Sequence, residues 1–275
     1  MLTDYHVHLR PDGEGTPPEE YFTAANVARY REAADAVGIG ELGISEHIHR
    51  FRQALDIWRH PFWIEQATDD LDAYCEFLAD SGLRVGIEAD YVPGAEDRIA
   101  TLLESRGFDY VVGSVHFIGE GSVDQDRWDV WRIEDHDPDR VWTAYFEQVA
   151  ASATSGLFDV IAHPDLVKVW GADRPLPERD LRNYYEPAIE AIADAGVAVE
   201  MSTAGLRKPV GEIYPAPAFA AMCVEAGVPF ALSSDAHVPE HLGFGYEQAV
   251  PQLRELGVGE ISVFEGRARR MAELG

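Results

Sequence analysis

Short apolar runs alternate with longer amphipathic segments along the whole sequence. Seven of these runs predict strands, at residues 2–9, 41–45, 84–91, 108–115, 158–162, 196–201 and 228–234. Between them, apolar side chains recur every three or four positions, which predicts helices at residues 21–34, 71–78, 97–105, 141–149, 181–195 and 217–226. The tail predicts a helix near residues 244–256, a weak eighth strand at 261–263 and a last helix.

Strand–helix units that follow one another at intervals of about 30 to 40 residues are typical of βαβ repeats. No Pro/Ser-rich linker, low-complexity tract or abrupt change of composition interrupts this rhythm. We therefore predict a single α/β domain over residues 1–275, with the architecture of a barrel.

Side chains that can bind a metal follow six of the seven predicted strands, at the point where each strand ends. They are His6 and His8, Glu46 and His47, Glu88, His116, His163, and Asp235 with His237. Residues two apart in a strand share a face, and the carboxyl ends of parallel barrel strands converge on one mouth. The sequence therefore predicts a metal site there, since clustered His, Asp and Glu side chains at convergent positions mark catalysis.

The predicted ligands are imidazoles and carboxylates without thiolates, a set that suits Zn²⁺, Mn²⁺ or Fe²⁺. About eight ligands are too many for one ion, so we expect two or three divalent ions. Glu88 is the natural bridging carboxylate, because it lies in the middle of this ring of ligands.

The charge is strongly acidic, with 22 basic against 49 acidic residues and a net charge of −27. Such a surface repels nucleic-acid backbones and anionic membranes, so neither is an expected partner. We attribute the bias to genome composition or to adaptation to high salt. Bound metal ions would supply the local positive field that a phosphate substrate needs.

The sequence contains no apolar run of 18 residues and does not start like a signal peptide, so we expect a cytoplasmic protein. Cys75 and Cys223, the two cysteines, lie in predicted helices. Free thiols are therefore expected rather than a disulfide.

The order His-x-His, Glu-His, a lone Glu, two single His and Asp-x-His resembles the PHP (polymerase and histidinol phosphatase) superfamily. Residues 113–118 (GSVHFI) and 202–208 (STAGLRK), the latter followed by EIYP at 212–215, are similar to the histidinol-phosphatase branch. This resemblance implies a distorted (βα)7 barrel with the metal site at the C-terminal mouth of the strands. It also implies hydrolysis of L-histidinol phosphate to L-histidinol and phosphate, in histidine biosynthesis, by attack of a metal-bridging hydroxide.

The resemblance further implies a division of the ligands among three ions. The first ion takes His6, His8, Glu88 and Asp235, the second takes Glu88, His116 and His163, and the third takes His47 and His237. A further ligand of the third ion is often a histidine in the first loop, which has none here; Asp12 and Glu14 are the available substitutes. Asp235 or His237 is expected to relay the proton to the leaving alkoxide, and Glu88 completes the catalytic set.

Several residues are weaker candidates for binding the substrate. Arg207, Lys208, Lys168 and Arg10 follow predicted strand ends and are candidate phosphate ligands, because Lys provides a point charge and Arg a bidentate fork. Glu200 either meets the substrate's amine or pairs with a neighbouring arginine. The remaining histidines are not expected to be ligands: His49, His60, His136 and His241.

Three alternative functions remain open at this point. The first is a PHP phosphoesterase that acts on nucleotides or another small phosphate ester. The second is a metal-dependent amidohydrolase, whose bridging carboxylated lysine would have to be Lys168 or Lys208. The third is a metal-bound module without turnover, which the complete set of ligands disfavours.

Overall fold

The computed structural model describes residues 1–13, 15–133 and 137–275. Its main sheet has seven strands in the order β1-β2-β3-β4-β7-β8-β9, and every neighbouring pair is parallel. The seven predicted strands are therefore confirmed. The strands, with two short hairpins, are β1 (Leu2–Asp4), β2 (Ile39–Ile44), β3 (Arg84–Asp90), β4 (Tyr110–Ser114), β5 (Phe117–Ile118), β6 (Gly121–Ser122), β7 (Val160–Ile161), β8 (Ala198–Ser202), β9 (Phe230–Ser233), β10 (Glu260–Glu265) and β11 (Ala268–Glu273).

Helices connect the strands and cover the outside of the sheet. Several begin at polar caps: the side chain of Thr23 accepts from the backbone N–H of Asn26, and that of Asp70 accepts from two N–H groups of the next turn. The helices are α1 (Pro18–Tyr21), α2 (Ala24–Ala36), α3 (Pro61–Gln66), α4 (Leu71–Ala79), α5 (Glu96–Glu104), α6 (Val130–Ile133), α7 (Pro138–Thr154), α8 (Arg182–Ala195), α9 (Pro217–Glu225) and α10 (Tyr246–Glu255).

The two edges of the sheet meet just beyond β1 and β9. There, the N–H of His8 donates to the carbonyl of Ala236 at 2.7 Å, and the N–H of Ala236 donates to the carbonyl of His6 at 3.2 Å. This short parallel bridge closes the sheet into a distorted (βα)7 barrel, as predicted. Because all seven strands run the same way, their carboxyl ends open at one mouth.

The predicted last helix is wrong, because residues 268–273 form β11, which pairs antiparallel with β10. The two turn residues between these strands, Gly266 and Arg267, have φ angles of 54° and 65°. Two consecutive left-handed residues are the signature of a tight hairpin turn. The segment is rich in Ala, Arg, Glu and Met, which favour helices, but pairing with β10 overrides that local propensity.

This hairpin closes the barrel at the end opposite the mouth. Val263 and Phe264 of β10 pack against Tyr5 and Tyr110 in the barrel interior, and all four are buried. The ring of Tyr5 lies edge-on to both Tyr110 and Phe264, with centroids 4.9 and 5.6 Å apart. The interior is thus filled by apolar side chains below the mouth.

No helix in the described part of the chain is long and apolar enough to cross a membrane. Cys75 and Cys223 are free thiols, as expected. Burial raises the pKa of Cys75 to about 11 and raises that of Cys223 further.

Candidate metal centre

The predicted ligands all lie at the mouth of the barrel, close to the ends of the parallel strands. His6 and His8 follow β1, Glu88 lies in β3, and His163 and Asp235 follow β7 and β9. The backbone φ angles of His163 and Asp235 are 22° and 52°, unusual for residues other than glycine. Such conformations persist where surrounding structure imposes them, often at functional sites.

Glu88 is the centre of the arrangement. Its Oε1 lies 3.4 Å from His116 Nε2 and 3.3 Å from His163 Nε2. Its Oε2 lies 3.3 Å from His6 Nε2 and also contacts His47 Nδ1. Each carboxylate oxygen thus faces at least two imidazoles, since His8 Nε2 also lies 3.8 Å from Oε2, which is the environment expected of a bridging ligand.

Asp235 occupies a second point of convergence. Its Oδ1 lies 3.3 Å from His8 Nε2, 3.7 Å from His6 Nε2 and 3.5 Å from His237 Nδ1. The ring of His8 stacks on that of His237, with centroids 4.2 Å apart. Asp235 therefore joins the His6–His8 pair to the outer part of the mouth.

Asp12, in the first loop, reaches the outermost histidines. Its Oδ2 lies 3.1 Å from His237 Nε2, and its Oδ1 lies 3.8 Å from His47 Nε2. Arg50 anchors the same carboxylate at 2.6 Å. Of the two acidic candidates in this loop, Asp12 is beside the outer histidines, whereas Glu14 lies outside the described residues.

Three sets of side chains each bring one donor atom per residue within 4.8 Å of one another. They are His6, His8 and Asp235; His6, Glu88 and His163; and His8, His47 and His237. These sets share members, so the donors form one continuous cluster rather than separate sites. His116 adjoins the cluster through its contact with Glu88.

The polar atoms of this cluster fit a bound cation, because several of them are buried without a hydrogen-bond partner among the described residues. These atoms are His6 Nε2, both ring nitrogens of His8, His47 Nδ1, Glu88 Oε2 and Asp235 Oδ1. A buried polar atom left unpaired costs about 1–3 kcal/mol. Imidazole nitrogens and carboxylate oxygens that converge in this way are the donor set of divalent Zn, Mn or Fe.

A second layer of carboxylates orients the histidines. Glu200 Oε1 lies 2.9 Å from His6 Nδ1, and its Oε2 accepts from the backbone N–H of His163 at 3.0 Å. Asp90 Oδ1 lies 2.8 Å from His116 Nδ1. A histidine that binds a metal commonly donates its other ring N–H to a carboxylate, which fixes the ring and its tautomer.

The electrostatics of the mouth follow from this layer. Burial lowers the pKa of His116, but Asp90 and Glu88, with a smaller effect from Asp124, outweigh it and raise that pKa to about 10. Burial has the opposite effect on a carboxyl and raises the pKa of Glu46. The charge of Arg50 and the contact with His8 outweigh burial and lower this pKa to about 2. Neighbouring histidines also outweigh burial at Glu88 and Asp235 and hold the pKa of each carboxyl well below its usual range, so both are ionised, as metal binding requires.

Comparison with known proteins identifies the family. A model of the PHP domain matches residues 20–204, which is more than half of the chain. The chain belongs to the PHP family.

Curated relatives of this PHP protein are histidinol phosphatases by name. The Deinococcus radiodurans protein named "Probable histidinol-phosphatase" is 36% identical over 93% of the chain and 94% of its own length. The histidinol-phosphatase of Bacillus subtilis is 26% identical over 62% of the chain and 69% of its own length. The first match covers nearly the whole of both proteins and therefore supports placement in the histidinol-phosphatase branch.

A solved structure shows the same fold. The histidinol phosphate phosphatase of Lactococcus lactis, crystallised with zinc, L-histidinol and phosphate, matches with a TM-score of 0.75 at 18% identity. The alignment covers 98% of each chain. The PHP-type barrel predicted from the sequence is confirmed by this likeness.

A cavity of about 550 Å³ opens above the ligands of this PHP protein. His47, His116, Glu88 and Asp235 form its floor, and Lys208 lies on its wall. Further lining residues come from the loops after β2, β4, β7 and β8: His49, Phe62, Phe117, Asp124, Gln125, Leu166, Trp170 and Tyr214. The volume suits a small molecule.

Arg10, Lys168 and Glu200 do not have the positions expected of substrate ligands. The guanidinium of Arg10 is bound by both oxygens of Asp69, at 2.6 and 2.7 Å. The ammonium of Lys168 lies 2.8 Å from Asp165 and 2.7 Å from Glu212. Glu200 is buried, and both of its oxygens serve the histidines described above. In each case the group is already paired within the protein.

Arg207 and Lys208 differ from this pattern. Lys208 is exposed and lines the cavity. Arg207 Nη2 donates to the carbonyls of Ser234 and Asp235 at 2.7 and 2.9 Å, while its buried Nη1 has no partner. Arg207 therefore supports the backbone of the Asp235 loop and retains one donor group.

One orienting carboxylate, Asp90, escaped the sequence-based prediction. Asp90 lies two positions after Glu88 and so projects from the same face of β3, a periodicity that offered a signal for it. Glu46 was predicted among the side chains that can bind a metal, but in the structure it orients the backbone. Its Oε1 accepts from the backbone N–H groups of Leu9 and Arg10 at 2.7 and 3.0 Å, which fixes the turn after His8.

The other histidines stay outside the three donor sets in the described part of the chain. His49 stacks on His47, with centroids 4.7 Å apart, and His60 stacks on Trp58 at 4.5 Å. Neither these two nor His241 belongs to a set. His136 lies outside the described residues.

Proposed function

We propose that this PHP protein hydrolyses L-histidinol phosphate to L-histidinol and inorganic phosphate. The observation that carries the proposal is Glu88, whose two oxygens each face at least two imidazoles in the lining of a cavity for a small molecule. The match to a protein named probable histidinol-phosphatase, over 93% of the chain, supports the substrate. Zinc, L-histidinol and phosphate in the Lactococcus lactis protein agree with it.

We assign the metal ligands as the resemblance implies and add Asp12. One ion would be held by His6, His8, Glu88 and Asp235, a second by Glu88, His116 and His163, and a third by His47, His237 and Asp12. When bound, such ions polarise a phosphoryl oxygen and lower the pKa of water to near neutrality. Zn²⁺, Mn²⁺ and Fe²⁺ all suit these donors.

The residues around the metal ligands divide the remaining tasks. Lys208 places a positive charge on the cavity wall, where it attracts the dianionic phosphate. Arg207 holds the loop of Asp235 in place through hydrogen bonds to the carbonyls of Ser234 and Asp235. His237 and Asp235 lie 3.5 Å apart at the cavity, and one of them delivers the proton that the leaving alkoxide needs.

The proposal treats residues 1–275 as one catalytic unit, because its ligands extend from His6 to His237. A cytoplasmic location and the absence of nucleic-acid and membrane partners remain predictions from the sequence. The amidohydrolase alternative finds no support in the geometry: Lys168 is paired with two carboxylates, Lys208 is exposed, and Glu88 takes the central position.

Phosphate release from L-histidinol phosphate by the metal-reconstituted protein tests the function. The same preparation should be assayed with a nucleoside monophosphate and with an amide substrate, each before and after chelation. We expect metal-dependent turnover of histidinol phosphate that exceeds turnover of the other two by at least about tenfold in kcat/KM. Preference for the nucleotide or the amide would overturn the proposal.

A further inference from the structure

The cavity lining contains a carboxylate that forms no ion pair with a described residue. Asp124 lies in the segment after β6 and lines the cavity together with Gln125. Its Oδ1 accepts from the hydroxyl of Ser122 at 2.7 Å. Among the described residues its Oδ2 forms no hydrogen bond or ion pair, although the charge of Asp124 acts at longer range on His116.

The neighbouring acidic residues of the same segment are neutralised instead. Asp126 pairs with Arg132 at 2.7 Å, and Asp129 pairs with Arg174 at 2.6 Å. The protein thus supplies arginines to the carboxylates beside Asp124 and leaves Asp124 free. A partly buried carboxylate without a counter-ion is unfavourable unless a ligand provides the positive charge.

The segment that carries Asp124 is fixed relative to the metal centre. The N–H of Val123 donates to the carbonyl of His116 at 2.8 Å. The indole N–H of Trp170 donates to the carbonyl of Val123 at 2.7 Å, and Arg174 lies over the Trp170 ring. Asp124 is therefore held at a set position beside a metal ligand and an aromatic wall.

The cavity lining combines opposite charges once cations occupy the cluster. Lys208 and the bound cations would attract phosphate, whereas Asp124 adds a negative charge to a lining that also includes Phe117 and Trp170. A phosphate ester with a protonated amine several ångströms from its phosphate complements both charges. An ester with a neutral or anionic organic group leaves Asp124 unpaired.

We propose that Asp124 binds the cationic nitrogen of the substrate and makes the enzyme selective for phosphate monoesters whose organic group is positively charged. This proposal rests on the proposed function, because it takes the metal cluster as the phosphate end of the cavity. It identifies Asp124, rather than Glu200, as the residue that meets the amine. Phe117 and Trp170 would pack against the remainder of the organic group.

The test compares three phosphate esters in the metal-loaded protein: L-histidinol phosphate, O-phosphoethanolamine and ethyl phosphate. In Asp124→Asn, we expect kcat/KM for the two amine esters to fall about 10- to 100-fold, mainly through KM, since a hydrogen bond between charged groups is lost. The kcat/KM for ethyl phosphate should change less than about threefold, because its organic group has no positive charge to pair with Asp124. Asp124→Glu should recover part of the selectivity.

Asp126→Asn is the matched control, because Asp126 lies in the same segment and pairs with Arg132 outside the cavity. This variant should have the same kcat/KM as the wild type for all three esters. Metal content by elemental analysis should be equal in the wild type, Asp124→Asn and Asp126→Asn. Calorimetry with L-histidinol should show binding weakened at least about tenfold in Asp124→Asn only.

The outcomes separate this proposal from the proposed function. An equal loss on all three esters, or unchanged L-histidinol binding in Asp124→Asn, overturns the role of Asp124. If the wild type ignores histidinol phosphate but prefers phosphoethanolamine to ethyl phosphate through Asp124, the proposed substrate is wrong and this inference stands. A wild type that does not distinguish the amine ester from ethyl phosphate overturns the inference.

Discussion

The two ends of the barrel bury different kinds of side chain: apolar ones at the closed end and ionisable ones at the mouth. At the closed end, Val263 and Phe264 of the β10–β11 hairpin pack onto Tyr5 and Tyr110. At the mouth, buried imidazole and carboxylate atoms such as Glu88 Oε2 lack partners within the protein. The closed end is therefore mainly apolar, with the Tyr110 hydroxyl as a buried polar atom without a described partner, whereas the mouth concentrates unpaired polar atoms that suit cations.

This difference separates stability from function along the barrel axis. Apolar burial stabilises the closed end by about 25 cal/mol per Å² of surface removed from water. The mouth carries charges that oppose folding unless they are paired, so its groups are placed for binding at a cost in stability. Changes at the two ends should consequently affect different measured quantities.

Removal of metal should produce the largest effect, and only at the mouth. Exhaustive chelation is expected to reduce hydrolysis of histidinol phosphate to the uncatalysed background. It should also lower the free energy of unfolding, since each site saturated at 100 to 1,000 times its Kd contributes about 3–4 kcal/mol. Activity assays and thermal denaturation before and after chelation, with recovery on adding Mn²⁺ or Zn²⁺, measure both effects. Unchanged activity after verified metal removal would count against the centre described here.

Phe264→Ala should cost stability at the closed end without changing catalysis. Truncating a buried Phe destabilises a protein by about 3–5 kcal/mol, because transfer energy is lost and a cavity remains. Phe264 is 1% exposed and lies in the apolar layer away from the ligands. Chemical denaturation should show this loss, while kcat/KM at a temperature where the variant is folded should stay within about twofold. A large fall in kcat/KM at full folding would show that the two ends are coupled.

Glu46→Gln should destabilise the mouth in a manner that depends on pH. The pKa of Glu46 is about 2, below its ordinary value, since Arg50 and His8 outweigh the effect of burial. A carboxyl whose pKa is lower in the folded state contributes stability above its unfolded pKa, and loses it as pH falls through the folded pKa. The free energy of unfolding of the variant should thus be about 3 kcal/mol lower than that of the wild type near pH 6. This difference between the two proteins should narrow below about pH 4.

Denaturation of the chelated wild type and variant at pH 6 and pH 3 measures this narrowing without interference from metal release. Glu76→Gln is a suitable control, because Glu76 is exposed on α4. A difference between wild type and Glu46→Gln that stays constant over this pH range would refute the assigned cause.

Glu200→Gln should have the smallest effect of the four and should act on metal affinity. The amide keeps one acceptor but loses the charge that orients His6 and the backbone of His163. Loss of such an outer partner typically weakens metal binding about 10- to 100-fold. Competition with a chelator of known affinity measures the change. Wild-type affinity in the variant would restrict Glu200 to a packing role.

Local patterns in the sequence determined the strands, most helices and the residues that meet at the mouth. Apolar runs of strand length and helical periodicity depend on burial, which the order of residues records directly. His6, Glu88 and Asp235 were recognisable because each stands at a strand end, and parallel strands bring their carboxyl ends together. The prediction of a last helix was wrong because β11 depends on pairing with β10, and local propensity does not report such contacts.

Only the tertiary structure decided which charged groups are free to act. Arg10, Lys168 and Glu200 looked available in the sequence, yet each is paired with a residue distant along the chain: Asp69, Glu212 and His6. Asp124 had no assigned role in the sequence, yet among the described residues of its segment it is the acidic one that lines the cavity without an ion pair. Charge pairing depends on distances in space, which residue types do not encode, so the sequence determined the chemistry of the mouth and the fold determined how its charges are used.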